Sequence, residues 1–176
     1  MANREALREL QARLASRLQA ARTEGVSAAW LAVKVGEAHC LFPLSQSGEI
    51  FPLANIQLVP YTRPWFVGVV NLRGALYSVV DLASFMGDGS SRVRSEQLLS
   101  EASVITFNVA LELNCALMVD GLAGLRKPSD FFKAVDTPAG SPAYFGNRFT
   151  DQHGVHWQEI NLQSLSQLSE FLSISA

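Results

Sequence analysis

Two apolar stretches separated by an arginine and a glycine place the strongest constraint on the fold. Residues 64–72 and 75–82 are almost continuously apolar, and Arg73 and Gly74 divide them. Apolar runs of this length around a glycine-containing break are typical of a β-hairpin, and such strands are usually buried on both faces. The sequence therefore predicts a covered hairpin with Arg73 at its tip, where an arginine is either simply solvated or an anchor for a partner.

Alternating patterns extend the β structure over much of the chain. Leu31, Val33 and Val35 alternate with Ala32 and Lys34, and the same period of two recurs in the stretches 104–109 and 113–119. This spacing predicts half-buried strands. Cys115 lies on the apolar side of the last stretch and is expected to be buried and unreactive.

Glycine, serine and proline mark the connections between these strands. Residues 88–97 are polar and contain glycine and serine, and residues 128–142 contain three prolines. Both stretches are expected to be loops.

Leucines at helical spacing predict a helix at each end of the chain. The N-terminal stripe consists of Leu7, Leu10, Leu14 and Leu18. This narrow stripe either packs on the rest of the protein or docks a partner, and the sequence leaves both open. Residues 161–172 predict the second helix, with Asn161 as its N-cap.

The two halves of the chain carry an internal repeat. In each half a proline lies four residues before a glycine, and a second glycine lies seven residues before an aspartate or asparagine. The matching positions are Pro64 and Pro142, Gly68 and Gly146, Gly74 and Gly154, Tyr77 and Trp157, and Asp81 and Asn161. Each half therefore predicts the same unit: a strand, a turn, a strand and a capped helical turn.

This repeat predicts an all-β fold with two similar small subdomains. Each half has about 70 residues, which is small for an independent core, so the halves should pack on each other as barrels or sandwiches. The expected boundaries are a helix within residues 1–28, one subdomain at about 29–98, a second at about 102–160, and a C-terminal helix at 161–172.

Charge and composition favour a protein of the cytoplasm that does not bind nucleic acid. The net charge is -2 at pH 7, whereas nucleic-acid binders usually carry a basic excess. Residues 1–24 interleave arginine and glutamate with leucine, which is unlike a signal peptide, and no apolar run is long enough to span a membrane.

A search for catalytic or metal-binding patterns gives no candidate site. The sequence has no glycine-rich phosphate loop and no G-x-S-x-G motif. His153 and His156 would face opposite sides of a strand, as would His39 and Cys40. No cofactor, metal or enzymatic activity is therefore expected.

Two alternative functions remain open at this point. Trp65, Tyr77 and Trp157 suggest a small nucleic-acid-binding barrel, although the charge opposes it. A ligand-binding or hydrolytic barrel would need a pocket with convergent polar groups.

Residues 59–87, VPYTRPWFVGVVNLRGALYSVVDLASFMG, resemble the most recognisable segment of CheW-like proteins. Residues 43–50 and 116–122 resemble two further segments of that family. The resemblance implies two five-stranded barrels side by side and a non-catalytic adaptor. The implied partners are the cytoplasmic tip of a methyl-accepting receptor and the regulatory domain of a CheA-type histidine kinase. The N-terminal helix and the divergent second half look most like the version used in type IV pilus twitching systems.

The resemblance also implies which residues contact partners. Those that match the receptor and kinase surfaces are Glu49, Asn71, Arg73 and Gly74, with the apolar residues Ile50 and Val59 nearby. Ser47 and Ser78 depart from the pattern, because the family commonly has a valine or isoleucine at the first position and a proline at the second.

Overall fold

The computed structural model describes residues 2–24 and 29–176 and contains eleven strands, five α-helices and two short 3-10 helices within them. The strands are β1 (Trp30–Val35), β2 (Ala38–Pro43), β3 (Ser47–Pro52), β4 (Phe66–Leu72), β5 (Ala75–Asp81), β6 (Ser103–Phe107), β7 (Cys115–Val119), β8 (Gly121–Arg126), β9 (Phe131–Val135), β10 (Phe145–Asp151) and β11 (His156–Ile160). The helices are α1 (Ala2–Glu24), α2 (Leu82–Met86), α3 (Glu96–Glu101), α4 (Leu162–Gln167) and α5 (Ser169–Leu172). None of these helices is long and apolar enough to cross a membrane.

The strands form two sheets with closely related orders. One sheet runs β8-β1-β2-β11-β10-β9, and the other runs β3-β6-β7-β5-β4. In both sheets a hairpin lies in the middle, and a second hairpin joins it through a parallel pair, β2 with β11 or β7 with β5. The fold is therefore mostly β, with two sheets and several helices.

The internal repeat is confirmed by these matching arrangements. The hairpin β4–β5 leads into α2, and the hairpin β10–β11 leads into α4. Asp81 caps α2 by accepting a hydrogen bond from the backbone of Ser84, and Asn161 caps α4 by accepting one from Ser164. These side chains are favoured N-caps because they satisfy an otherwise unpaired backbone N–H group.

The two sheets do not coincide with the expected subdomains at about 29–98 and 102–160. The first hairpin of each half, β1–β2 or β6–β7, lies in the sheet that contains the second hairpin of the other half. This exchange pairs strands that are distant in sequence, so a division along the chain cannot describe it. Closure of each sheet into a small barrel stays a prediction.

Two expected loops contain regular structure. β9 lies within the proline-containing stretch 128–142 and pairs with β10, which gives one sheet six strands rather than five. α3 begins at Glu96, inside the stretch 88–97, where the side chain of Ser95 caps the backbone of Leu98. Prolines near both ends of β9 do not prevent a short strand, and Ser95 can start a short helix. The loop-like composition of the two stretches therefore did not predict either element.

The main core lies where the two sheets and the short helices meet. It includes Leu31 and Phe42 from one sheet, Ile105 and Leu117 from the other, and the α4 residue Leu165. Smaller apolar clusters cover the opposite faces of the sheets. Cys115 is buried in the main core, as the sequence predicted.

The N-terminal helix packs on the body of the protein with the second half of its stripe. Leu14 and Leu18 are buried in the main core, whereas Leu7 is half-buried and Leu10 is exposed. The side chain of Gln11 donates to Ser103 Oγ at 2.9 Å, which ties the middle of the helix to β6. The part of the expected N-terminal segment at residues 25–28 lies outside the described residues.

Candidate functional site

Arg73 occupies a tight turn whose geometry is well defined. Leu72 pairs with Ala75, so Arg73 and Gly74 form a two-residue connection between β4 and β5. Their φ angles are 51° and 84°, and positive φ at both central residues is the pattern of a type I′ hairpin turn. The side chain of Asn71 accepts a hydrogen bond from the backbone of Gly74 at 2.9 Å. Asn71 and Gly74 therefore hold the turn.

An arginine is a poor choice for this turn on conformational grounds alone. Type I′ turns favour Asn-Gly or Gly-Gly, because asparagine and glycine tolerate positive φ better than other residues. A residue held in this region costs on the order of 1 kcal/mol, and such residues concentrate at functional sites. Turn propensity therefore does not explain Arg73.

The guanidinium of Arg73 pairs with the carboxylate of Glu49 on β3. The Nη1 atom of Arg73 lies 2.7 Å from Oε2 of Glu49, and the two side chains are 73% and 44% exposed. The guanidinium also lies 5.6 Å from the centre of the Phe51 ring. A pair this exposed contributes only about 0–1 kcal/mol to stability. The pair therefore fixes the orientation of two surface charges and adds little to the stability of the fold.

The backbone around Glu49 is fixed by a close approach between β3 and β6. The Glu49 N–H donates to Oγ1 of Thr106 at 2.7 Å. A Cβ atom at Gly48 would lie only 2.0 Å from the same Thr106 oxygen, so glycine is required before Glu49.

The six residues that the sequence predicts to bind partners lie in three different parts of the structure. The fold brings together Glu49, Asn71, Arg73 and Gly74 at one end of the β4–β5 hairpin. Ile50 is buried in the main core, so it is not part of the exposed surface. Val59 lies on the segment between β3 and β4, where its carbonyl accepts from Oγ1 of Thr62 at 3.0 Å.

Helix α1 lies next to this group of residues. A cleft of about 470 Å³ is lined by Ala15 and Leu18 of α1 on one side and by Glu49, Ile50 and Arg73 on the other. The helix therefore borders the predicted partner-binding residues and contributes to the cover over Ile50.

Sequence reasoning missed a buried ionic network around Arg94. The Arg94 side chain is 4% exposed, and its Nη1 and Nη2 atoms donate to Asp81, while its Nε atom donates to Oδ1 of Asp120 at 2.7 Å. The other Asp120 oxygen accepts from the backbone of Gly36 at 2.6 Å. This network joins the stretch 88–95 to both sheets and to the start of α2.

The network shifts the pKa of the Asp81 carboxyl. Burial alone would raise that pKa, but the hydrogen bonds from Arg94 and Ser84 and the charge of Arg94 outweigh burial and lower it. The hydrogen bond to Asp81 raises the pKa of Arg94, which stays charged. The internal repeat predicts a capped helical turn at Asp81, but nothing in the polar stretch 88–97 marks Arg94 as buried.

The aromatic residues that suggested nucleic-acid binding are not available for stacking on bases. Trp65 and Trp157 are buried, and Tyr77 is half-buried against the outer cluster of its sheet. The indole of Trp157 donates to Asp151 at 2.9 Å. A single-strand binder needs exposed aromatic faces, so these side chains do not support that alternative.

Comparisons with known proteins agree with the geometry. A family model for the CheW-like domain matches residues 29–145. Protein PilI of Pseudomonas aeruginosa is 25% identical over 167 residues, which cover 93% of this chain and 89% of PilI. The crystal structure of the scaffolding protein TtCheW from Thermoanaerobacter tengcongensis superimposes with a TM-score of 0.60 at 15% identity, over 77% of this chain and 89% of TtCheW. This last likeness concerns the fold alone.

The match to the CheW-like domain concerns catalysis as well as fold. CheW-like proteins are non-catalytic scaffolds, in agreement with the expectation from the sequence. Because the matched residues span well over half of its length, this chain belongs to the CheW-like family.

Proposed function

We propose that this protein is a cytoplasmic adaptor that couples a methyl-accepting receptor to a CheA-type histidine kinase. Family membership supports the scaffold role, and the similarity to PilI along most of both chains supports a place in a type IV pilus twitching pathway. The receptor would be contacted at its cytoplasmic tip, and the kinase at its regulatory domain.

The exposed Glu49–Arg73 pair is the observation that carries this proposal. Arg73 is held at a strained turn position where asparagine or glycine would fold more easily. A guanidinium has five N–H donors in a planar fork, and Glu49 occupies only part of them. The remaining donors face solvent and suit a carboxylate or backbone carbonyls on a partner.

The rigidity of the turn supports its use as an anchor. Asn71 fixes Gly74, and both hairpin strands have buried residues in the sheet. A side chain presented from a fixed backbone loses less conformational entropy on binding than one from a mobile loop. In this mechanism one rigid adaptor touches receptor and kinase together, so a change in one partner alters the equilibrium of the other.

We further propose that residues 29–172 act as one unit in which each sheet curls into a small barrel. The apolar clusters on both faces of each sheet support this shape, because a flat sheet would leave one of those faces open.

Isothermal titration calorimetry with purified partners tests the coupling proposal. The full chain is titrated with the regulatory domain of a CheA-type kinase and, separately, with the tip of a receptor from the same organism. We expect saturable binding to both and a ternary complex when all three are mixed. Binding to neither partner would refute the coupling function.

A further inference from the structure

A second and larger cleft lies away from the Glu49–Arg73 pair. Its volume is about 730 Å³, and its walls come from the first half of α1, from residues 52–58 after β3, and from residues 91–100. None of the six predicted partner residues lines it. The volume is within the usual range of binding pockets, about 300–1,000 Å³.

The lining of this cleft carries more positive than negative side chains, although the chain as a whole has a net charge of -2. Its basic residues are Arg4, Arg8, Arg92 and Arg94, and its single acidic residue is Asp81. Asp81 is already paired with Arg94, and Asp120 outside the lining pairs with both Arg94 and Arg92. Within the described part of the chain no acidic side chain forms an ion pair with Arg4 or Arg8, so their charges are available to a ligand.

The rest of the lining is mostly apolar and also includes Gln11, Asn55, Ser91 and Ser100. Phe66 and Met118 are buried at the floor, whereas Leu58 is 78% exposed and Leu99 is 42% exposed at the rim. These two leucines continue the apolar lining of the cleft onto the surface, an arrangement that suits a macromolecular partner. A small ligand would leave this rim uncovered, and a single-stranded nucleic acid would need exposed aromatic rings, which the described lining does not provide.

We propose that this cleft binds an acidic amphipathic segment of a partner protein. Apolar side chains of the segment enter between Leu58, Leu99 and the floor, and its carboxylates reach Arg4 and Arg8. An amphipathic helix in a hydrophobic groove is a common mode of peptide recognition, and the arginines give this groove a preference for acidic sequences.

Fluorescence anisotropy with a synthetic amphipathic peptide of leucine and glutamate tests the proposal. We expect saturable binding that weakens as salt is raised, and no binding of the same peptide with lysine in place of glutamate. R8E should weaken binding about tenfold, because it removes an attractive charge and adds a repulsive one. R17E is the matched control: Arg17 is exposed on the same helix but does not line the cleft.

A variant on another wall keeps the test independent of the helix. L58S changes an exposed residue, so the protein should fold normally, and it should weaken binding by about three- to fivefold. Equal effects of R8E and R17E, unchanged binding by L58S, or equal affinity for the lysine peptide or for single-stranded DNA would overturn the proposal. The assay contains neither kinase nor receptor, so its result is independent of the coupling function.

Discussion

Arg94 binds both carboxylate oxygens of Asp81, the residue that caps α2: Nη1 lies 2.6 Å from Oδ2, and Nη2 lies 2.7 Å from Oδ1. The pair is almost fully buried, and Asp120 binds the third nitrogen of the guanidinium. One side chain from a polar connection therefore binds two carboxylates, at the end of β5 and directly after β7, and Arg92 lies 3.6 Å from the second of them.

Removal of Arg94 should strongly destabilise the protein. Arg94→Ala leaves Asp81 without a cation in a buried position, and loss of one partner of a buried pair typically costs about 3–5 kcal/mol. Arg94→Lys should recover part of this, because it keeps the charge but cannot bind both oxygens. Urea unfolding of the three proteins measures the effect. A loss of less than about 1 kcal/mol in Arg94→Ala would show that the network does not stabilise the fold.

The lowered pKa of Asp81 predicts a specific loss of stability in acid. A free aspartate has a pKa of about 3.9, and the folded value is lower, so the stability from this carboxylate is fully present above that pH. It is lost as the pH falls through the folded pKa. Asp81→Asn keeps an N-cap but removes the charge, so it isolates this contribution.

Unfolding free energies of wild type and Asp81→Asn should therefore differ most near neutral pH. The difference should shrink as the pH is lowered from about 5 to about 2, because the wild-type carboxylate then becomes protonated as well. A difference that stays constant over this range would contradict the assignment of the lowered pKa to Asp81.

The fold was predictable where the signal is local. The β4–β5 hairpin, the caps at Asp81 and Asn161 and the burial of Cys115 follow from short patterns that the structure confirms. The exchange of hairpins between the sheets depends on parallel pairs between distant strands, and periodicity carries no information about which strands pair.

The site was predictable only in part for a related reason. Arg73 and Glu49 are paired although β3 and the β4–β5 hairpin lie at opposite ends of the strand order of their sheet, and no pattern in the sequence links them. The resemblance places Ile50 near the partner surface. Successive side chains of a strand point to opposite faces, so Ile50 points into the core, whereas Glu49 points to the surface. Arg94 lies in a stretch whose composition predicts a solvated loop, and only the tertiary contacts reveal its burial.

The cap of α4 should contribute measurably to stability. The side chain of Asn161 accepts from the backbone of Ser164 at 2.9 Å. Asn161→Ala should cost about 1 kcal/mol, whereas Asn161→Asp should be nearly neutral because aspartate caps equally well. Chemical denaturation compares the two. Equal losses in both variants would mean that the cap hydrogen bond is not the source of the effect.

Both cysteines should be unreactive in the native protein. Burial raises the pKa of the Cys40 and Cys115 thiols to about 12, so little thiolate forms at neutral pH. Labelling by a thiol reagent should be slow until denaturant is added. Cys115→Asp should destabilise by several kcal/mol, with Cys115→Ala as the milder control. Rapid labelling of Cys115 without denaturant would contradict its burial.

The variant Arg73→Asn separates a role of Arg73 in partner binding from a role in the stability of the turn. Asparagine favours the type I′ turn more than arginine does, so the melting temperature should be unchanged or slightly higher despite the loss of the pair with Glu49. Arg73→Lys keeps the positive charge but loses the planar set of guanidinium donors. Its affinity for the partners should therefore lie between those of wild type and Arg73→Asn.

The decisive measurement is the affinity of Arg73→Asn for the kinase regulatory domain and for the receptor tip, made beside its melting temperature. We predict that affinity for at least one partner falls about thirtyfold, the equivalent of about 2 kcal/mol at an interface hot spot, while the melting temperature does not fall. Unchanged affinity for both partners, or a large fall in melting temperature with unchanged affinity of the folded protein, would contradict the role of Arg73 as a partner anchor.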